Sequence, residues 1–146
     1  MSDPVFSREQ IYSALFTLVA GAAEFVTATR RIREYADVDQ STQPALLQSE
    51  LGETWNAPPG MPPLVVLNAK LFLYCESGDP TAVVSTQINT LLDAVTQALA
   101  PPSDGEERQT LGGLVFHCRI AGDVTIAEGL SGQSEAVVPI EILVNS

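Results

Sequence analysis

Leu64–Cys75 narrows the architecture more than any other stretch of this chain. Val65, Leu67, Ala69, Leu71, Leu73 and Cys75 are apolar and fall on one face at period two, with Asn68, Lys70 and Tyr74 on the other. A period of 3.6 does not produce that segregation, so the segment is a strand with one face in a core. Ala136–Val144 repeats the pattern with its even positions apolar, and Pro139 inside it argues for a sheet edge or a bulge. Leu114–Ala121 reads as another strand, with Leu114, Phe116, Cys118 and Ile120 on one face. Gly122 marks a bulge before Val124–Ala127. Upstream, Phe25–Arg33 is a strand with β-branched content, Asp37–Gln43 is a polar turn or loop, and Ala45–Leu51 is a shorter strand.

Two segments read as helices. Ser7-Arg8-Glu9-Gln10 forms a capping box, and Ile11, Leu15, Leu18 and Val19 follow at helical spacing until Gly21 weakens the end. The second helix has Asp79 as its cap and Pro80 at the first helical position. Val84, Ile88, Leu91, Leu92, Val95 and Leu99 make its apolar stripe, and Pro101-Pro102 stops it. The order is therefore α-β-β-β-α-β-β, with room for one further strand. It predicts an α+β domain: a single antiparallel or mixed β-sheet with two helices packed on one face. The length, 146 residues, suits one domain over 1–146.

The charge balance excludes partners. Seven basic residues against eighteen acidic ones give a net charge of −11. Nucleic-acid affinity comes from cations that displace counterions from phosphates, so a sequence-specific nucleic-acid role is disfavoured. An anionic membrane surface is disfavoured for the same reason. Ile11–Ala23 ends in Ala-Gly-Ala-Ala like a signal-peptide core, but Asp3 and Glu9 stand there against Arg8, where a signal needs a positive leader. An amphipathic first helix fits better. No apolar run reaches the ~20 residues of a membrane span.

Catalytic chemistry finds no signature. His117 is the one histidine, and by alternation it shares a face with Val115 and Arg119. A catalytic base needs a positioned nucleophile and an orienting acid, and no motif supplies them. Gly129-Leu130-Ser131-Gly132 brings its second glycine one position too early for a nucleophile elbow. Gly112-Gly113 lacks phosphate-loop spacing and reads as a tight turn before a strand. Asp104, Glu106 and Glu107 lack the alternating oxygens of a calcium loop. Cys75 and Cys118 lie in apolar runs without a Cys-x-x-Cys or a histidine pair, so they read as buried thiols, a disulfide between them remaining the alternative. No catalytic, cofactor-binding or metal-ligating residue is assigned.

Contact residues are easier to name. Glu50–Pro63, with Gly52, Pro58, Pro59, Gly60, Pro62 and Pro63, reads as a long loop and a candidate interface element. It carries Trp55 and Met61, which either fold back on the domain or anchor a partner. Arg30, Arg31 and Arg33 hold three of the seven basic residues, as a solvated strand face or as a dock for an acidic neighbour. Asp93 is the only charge between Thr81 and Ala100, leaving the second helix a polar face that is cheap to desolvate.

The C-terminal half carries a family likeness. Arg108-Gln109-Thr110-Leu111-Gly112-Gly113-Leu114-Val115, then His117-Cys118, Asp123, Glu128-Gly129, Gln133 and Val137-Val138-Pro139-Ile140-Glu141-Ile142-Leu143-Val144, resembles the tail terminator (minor tail, tail completion) proteins of siphophages and prophages. Leu91-Leu92-Asp93-Ala94-Val95 before Ala98-Leu99-Ala100-Pro101 resembles them too, as do Arg8–Phe16 and Phe25-Val26-Thr27 followed by Arg30-Arg31. Glu50–Pro63 is the part without a match.

The resemblance implies a small subunit, working without cofactors, that closes into a hexameric ring with copies of itself. Such a ring caps the tail tube protein, ends its polymerisation, and presents a surface to the head–tail connector protein while DNA passes through the hole. It implies assembly in the bacterial host cytoplasm and a place in the virion tail. Another neck or tail component, such as a head–tail connector, is the alternative, and beyond it a small-ligand or enzymatic domain.

Overall fold

The computed structural model describes residues 5–32, 38, 43–77, 83–102, 106–129 and 132–145. The elements run α1 (Arg8–Ala20), β1 (Thr27–Thr29), β2 (Ala45–Asn56), β3 (Leu64–Glu76), α2 (Val84–Ala98), β4 (His117–Ile120), β5 (Thr125–Glu128) and β6 (Gln133–Leu143). This is the α+β order expected from the sequence, with β5 as the further strand. The strands form one mixed sheet in the order β1-β2-β3-β6-β4, and β5 also pairs with β6. β1 runs parallel to β2, while β2–β3, β3–β6, β4–β6 and β5–β6 are antiparallel.

β3 and β6 form the sheet's centre because their alternation lets both bury one face. Leu67, Ala69, Leu71 and Leu73 pair with Ile142, Ile140, Val138 and Ala136, and none of the eight is more than 2% exposed. Both helices cover that face. α1 contributes Ile11, Tyr12, Leu15 and Val19, and α2 contributes Ile88, Leu91 and Val95, with Leu99 just past its end. Each such side chain contributes about 1.5–3 kcal/mol by leaving water. Ser7 caps α1, its hydroxyl accepting from the Gln10 amide at 3.3 Å. α1 is pinned to the sheet through Gln48 of β2, whose buried amide nitrogen donates to the Tyr12 carbonyl at 2.9 Å. The opposite face holds a smaller cluster at one end: Val38, Ala45, Leu47 and Tyr74, with Phe72 against them.

Pro139 shows how a proline sits inside a sheet with neighbours on both sides. Its carbonyl accepts from the Ala121 amide at 3.2 Å, so it faces the β4–β5 side. In an antiparallel strand a residue's nitrogen and carbonyl point the same way. The missing donor therefore faces the gap where the chain bulges between β4 and β5. Gly122 makes that bulge at φ 111°, and a Cβ there would stand 3.3 Å from Pro139 Cγ. The bulge expected at Pro139 and Gly122 is what the sheet uses.

Several boundaries differ from expectation. The strand expected at 25–33 shrinks to Thr27–Thr29. After Thr29 the chain turns, the Arg31 amide donating to Thr29 Oγ1 at 3.0 Å. The 50–63 loop is strand as far as Asn56, because its prolines begin only at Pro58 and Gly52–Asn56 pair with β3. The turn is confined to 57–63. The strand expected at 114–121 begins at His117, because Leu111, Gly112 and Gly113 take φ of 52°, 74° and 92°. That run puts Val115 into the core and leaves Leu114 40% exposed. Val83 is extended and makes no side-chain cap, so α2 starts at Val84. The expected start at Asp79 and Pro80 lies outside the described residues.

Candidate assembly surfaces

The outer half of β2 leaves the core. From Glu50 to Asn56 its residues are exposed, and a register shift between Glu50 and Gly52 sets Leu51 out of the ladder, 53% exposed. Gly52 takes φ 130° there, a conformation that favours glycine. Glu50, Glu53 and Trp55 pair with Ala69, Leu67 and Val65, so they lie on the helix side of the sheet. Beside them stands the start of α1. Arg8 forks onto Glu53 at 2.6 and 2.7 Å, and the Trp55 indole donates to the same carboxylate at 2.6 Å. These donors, Arg8 first and Trp55 second, hold the Glu53 carboxyl down at about 2. The Trp55 ring lies 6.3 Å from Phe6, and the Arg8 guanidinium lies 4.8 Å over the Phe6 ring.

Arg30 closes the same cluster. Its guanidinium donates to both oxygens of Glu9 at 2.7 and 2.9 Å, and to Glu50 at 2.8 Å. It therefore ties β1's end to α1 and β2 inside the chain. Its hydrogen bond is the main reason the Glu9 carboxyl sits below the usual range.

The structure thus ties Trp55 and Arg30 each to a carboxylate of β2, Glu53 and Glu50, which the sequence did not reveal. Arg31 is exposed next to Arg30, and Arg33 lies outside the described residues. Asp93 is exposed on α2, a separate element. Met61 stands at the hairpin turn, 64% exposed, near Leu64 at 38%. From Thr54 through Ala69 the chain carries no charge at all.

A second surface went unseen in the sequence. The outward side of α1, with Ser13, Ala14 and Leu18, faces the 109–114 turn, with Leu111 and Leu114. Between them runs an open, mostly apolar groove of about 760 Å³, with Glu9 as its charged lining residue. Gln109 holds the turn in place. Its buried amide nitrogen donates to the Ala100 carbonyl at 3.0 Å and weakly to Ala98 at 3.4 Å. Its Oε1 accepts from the Leu111 amide at 3.2 Å, and its carbonyl accepts from Cys118 at 2.8 Å. Arg108 donates to the Phe116 carbonyl at 3.1 Å and stacks 4.1 Å over that ring. The segment 108–115, on which the family likeness leans most, therefore packs beside the end of α2, leads into β4 and builds one groove wall.

The residues weighed for chemistry are scattered. His117 lies half-buried on β4, and burial, with Arg119 and Arg108 beside it, lowers its pKa below the ordinary imidazole value. Arg119 itself pairs with Glu141 at 2.7 Å. Cys75 and Cys118 are buried thiols, pushed up by burial to about 11 and about 12. Gly129 ends β5, its amide donating to the Gln133 carbonyl at 2.9 Å, while Leu130, Ser131 and Asp104 lie outside the described residues. Among the described residues no group of three His, Cys, Asp or Glu could hold a metal ion, and no helix is long and apolar enough to cross a membrane.

No protein-family model and no curated protein matches the sequence. Among solved structures, a chain titled as part of the virion of a native gene transfer agent particle superposes with a TM-score of 0.47 and 11% identity, over 93% of this chain and 89% of that one. A likeness that loose decides neither fold family nor role.

Proposed function

We propose that the chain is a tail terminator of a bacteriophage or prophage. Six copies close into a ring on the head-proximal end of the tail tube. The ring ends polymerisation of the tube protein and offers the head–tail connector its docking surface. DNA then passes through the hole, and a chain of net charge −11 does not grip phosphate.

The observation that carries this reading is the end of the β2–β3 hairpin. Trp55, Met61 and Leu64 are each at least 38% exposed there, on a stretch from Thr54 through Leu64 that carries no charge, and Leu51 is 53% exposed further back on β2. Apolar surface gathered at a projecting end is what a protein–protein contact uses. The sequence likeness to tail terminators supplies the kind of assembly in which such a contact works. The Arg8–Glu53–Trp55 and Arg30–Glu9–Glu50 ties hold the hairpin's base against α1, so its end is presented as a fixed shape.

Deleting the gene and imaging the resulting tails by electron microscopy tests the role. Overlong tubes without heads are expected; tails of normal length joined to heads overturn it. In the purified protein, Trp55→Ala with Met61→Ala should keep the circular-dichroism spectrum of the parent while lowering the copy number seen by native mass spectrometry.

A further inference from the structure

We infer that the hairpin end of one copy seats in the α1/109–114 groove of a second copy. This deepens the ring reading by naming both halves of its side contact, and it rests on that reading for the closure into a ring.

Charge comes first. Copies at net −11 repel one another wherever their carboxylates face. Contact forms where charge is absent on both sides. The hairpin end is charge-free from Thr54 through Ala69. The groove walls come from 10–18 and 109–114, two stretches that also contain no charged residue, with Glu9 at one end. Shape agrees. The turn carries Pro58, Pro59, Pro62 and Pro63, whose fixed φ reduces the entropy lost on docking. Met61 at its crest is unbranched and adapts to an irregular apolar slot. The groove is open, and none of residues 57–63 lines it within the chain, so a hairpin end seated there would come from another copy. A protruding patch and a receiving pocket on one molecule make a heterologous contact, the kind that closes into rings.

A crosslink between two different chains reads this contact directly. A Met61→Cys chain is mixed with a differently tagged Leu114→Cys chain and oxidised. Cys75 and Cys118 stay silent because both are buried thiols. A hetero-tagged disulfide dimer is expected, absent when Thr125→Cys replaces Leu114→Cys. The Met61→Cys/Leu114→Cys double variant should give a ladder ending at the ring's copy number. If native mass spectrometry shows an oligomer but the 61–114 product does not form, the inference falls and the ring stands on another contact. If the protein stays monomeric at its highest soluble concentration and no product forms, the inference also falls. The terminator role is judged separately by the gene deletion.

Discussion

Gln109→Met removes the side chain that holds the 109–114 turn while keeping nearly its length and volume. The parent side chain is only 6% exposed, so no water stands ready to replace its bonds. Near-isosteric exchange keeps the cavity contribution small, and the change is therefore mostly hydrogen bonding. The buried Leu111 amide loses its acceptor, at 3.2 Å, which costs about 1–3 kcal/mol for an unsatisfied donor. The 3.0 Å bond to Ala100 adds about 0.5–1.5 kcal/mol, and the 3.4 Å contact with Ala98 is counted as nothing. The sum is about 1.5–4.5 kcal/mol. For a domain near 150 residues each kcal/mol lowers the midpoint by about 2–4 °C, so Tm should fall by about 3–18 °C. Thermal unfolding followed by circular dichroism, at one fixed protein concentration, measures it. A fall of less than about 2 °C would show that the turn is held by its backbone and by Arg108, and the reasoning about Gln109 would be wrong.

Gly122→Ala places a Cβ 3.3 Å from Pro139 Cγ at a φ of 111°, and should destabilise by about 1–3 kcal/mol; an unmoved urea midpoint refutes the tie between bulge and proline. The Glu53 carboxyl lies at about 2 in the fold against an ordinary 4.5, so its contribution is complete above about pH 4.5 and is lost as pH falls toward 2. Glu53→Gln should therefore flatten the loss of stability across that window, and a parallel pH profile for the variant counts against the Arg8–Glu53–Trp55 cluster. Cys75 and Cys118, raised to about 11 and about 12, should not react with a thiol reagent at pH 8 in the native protein, whereas both should titrate in guanidinium. Rapid native labelling of either would contradict its burial.

The sequence made the centre of the sheet legible because burial of one face imposes period two. Val65 to Cys75 and the even positions of β6 lie where alternation put them, and Ser7 caps the helix it was expected to cap. The outer half of β2 was invisible for the converse reason. Glu50-Leu51-Gly52-Glu53-Thr54-Trp55-Asn56 is exposed, so no face demands apolar residues, and pairing with β3 leaves no pattern to read. Alternation also failed at Val115, because a non-glycine residue, Leu111, takes a positive φ that its own chemistry does not announce. Trp55 and Met61 stood out as apolar residues in a Pro/Gly stretch. That Arg30 reaches Glu9 and Glu50 depends on contacts about twenty residues away, which local patterns do not encode. The groove was missed because its two walls, α1 and the 109–114 turn, lie far apart in the chain, and local patterns do not bring them together.

The glycine kinks in the outer half of β2, beyond its pairing with β1, and between β4 and β5 bear on what copies of this chain avoid becoming. Gly52 breaks the straight run of β2, and Gly122 divides β4 from β5. A neighbouring strand laid along either stretch loses register after a few residues, so hydrogen bonding cannot propagate from molecule to molecule as it does in a fibril. Growth by endless backbone pairing is thereby blocked at both places. What remains open to association is side-chain fit, which saturates once each partner is in place and so suits a particle of fixed size.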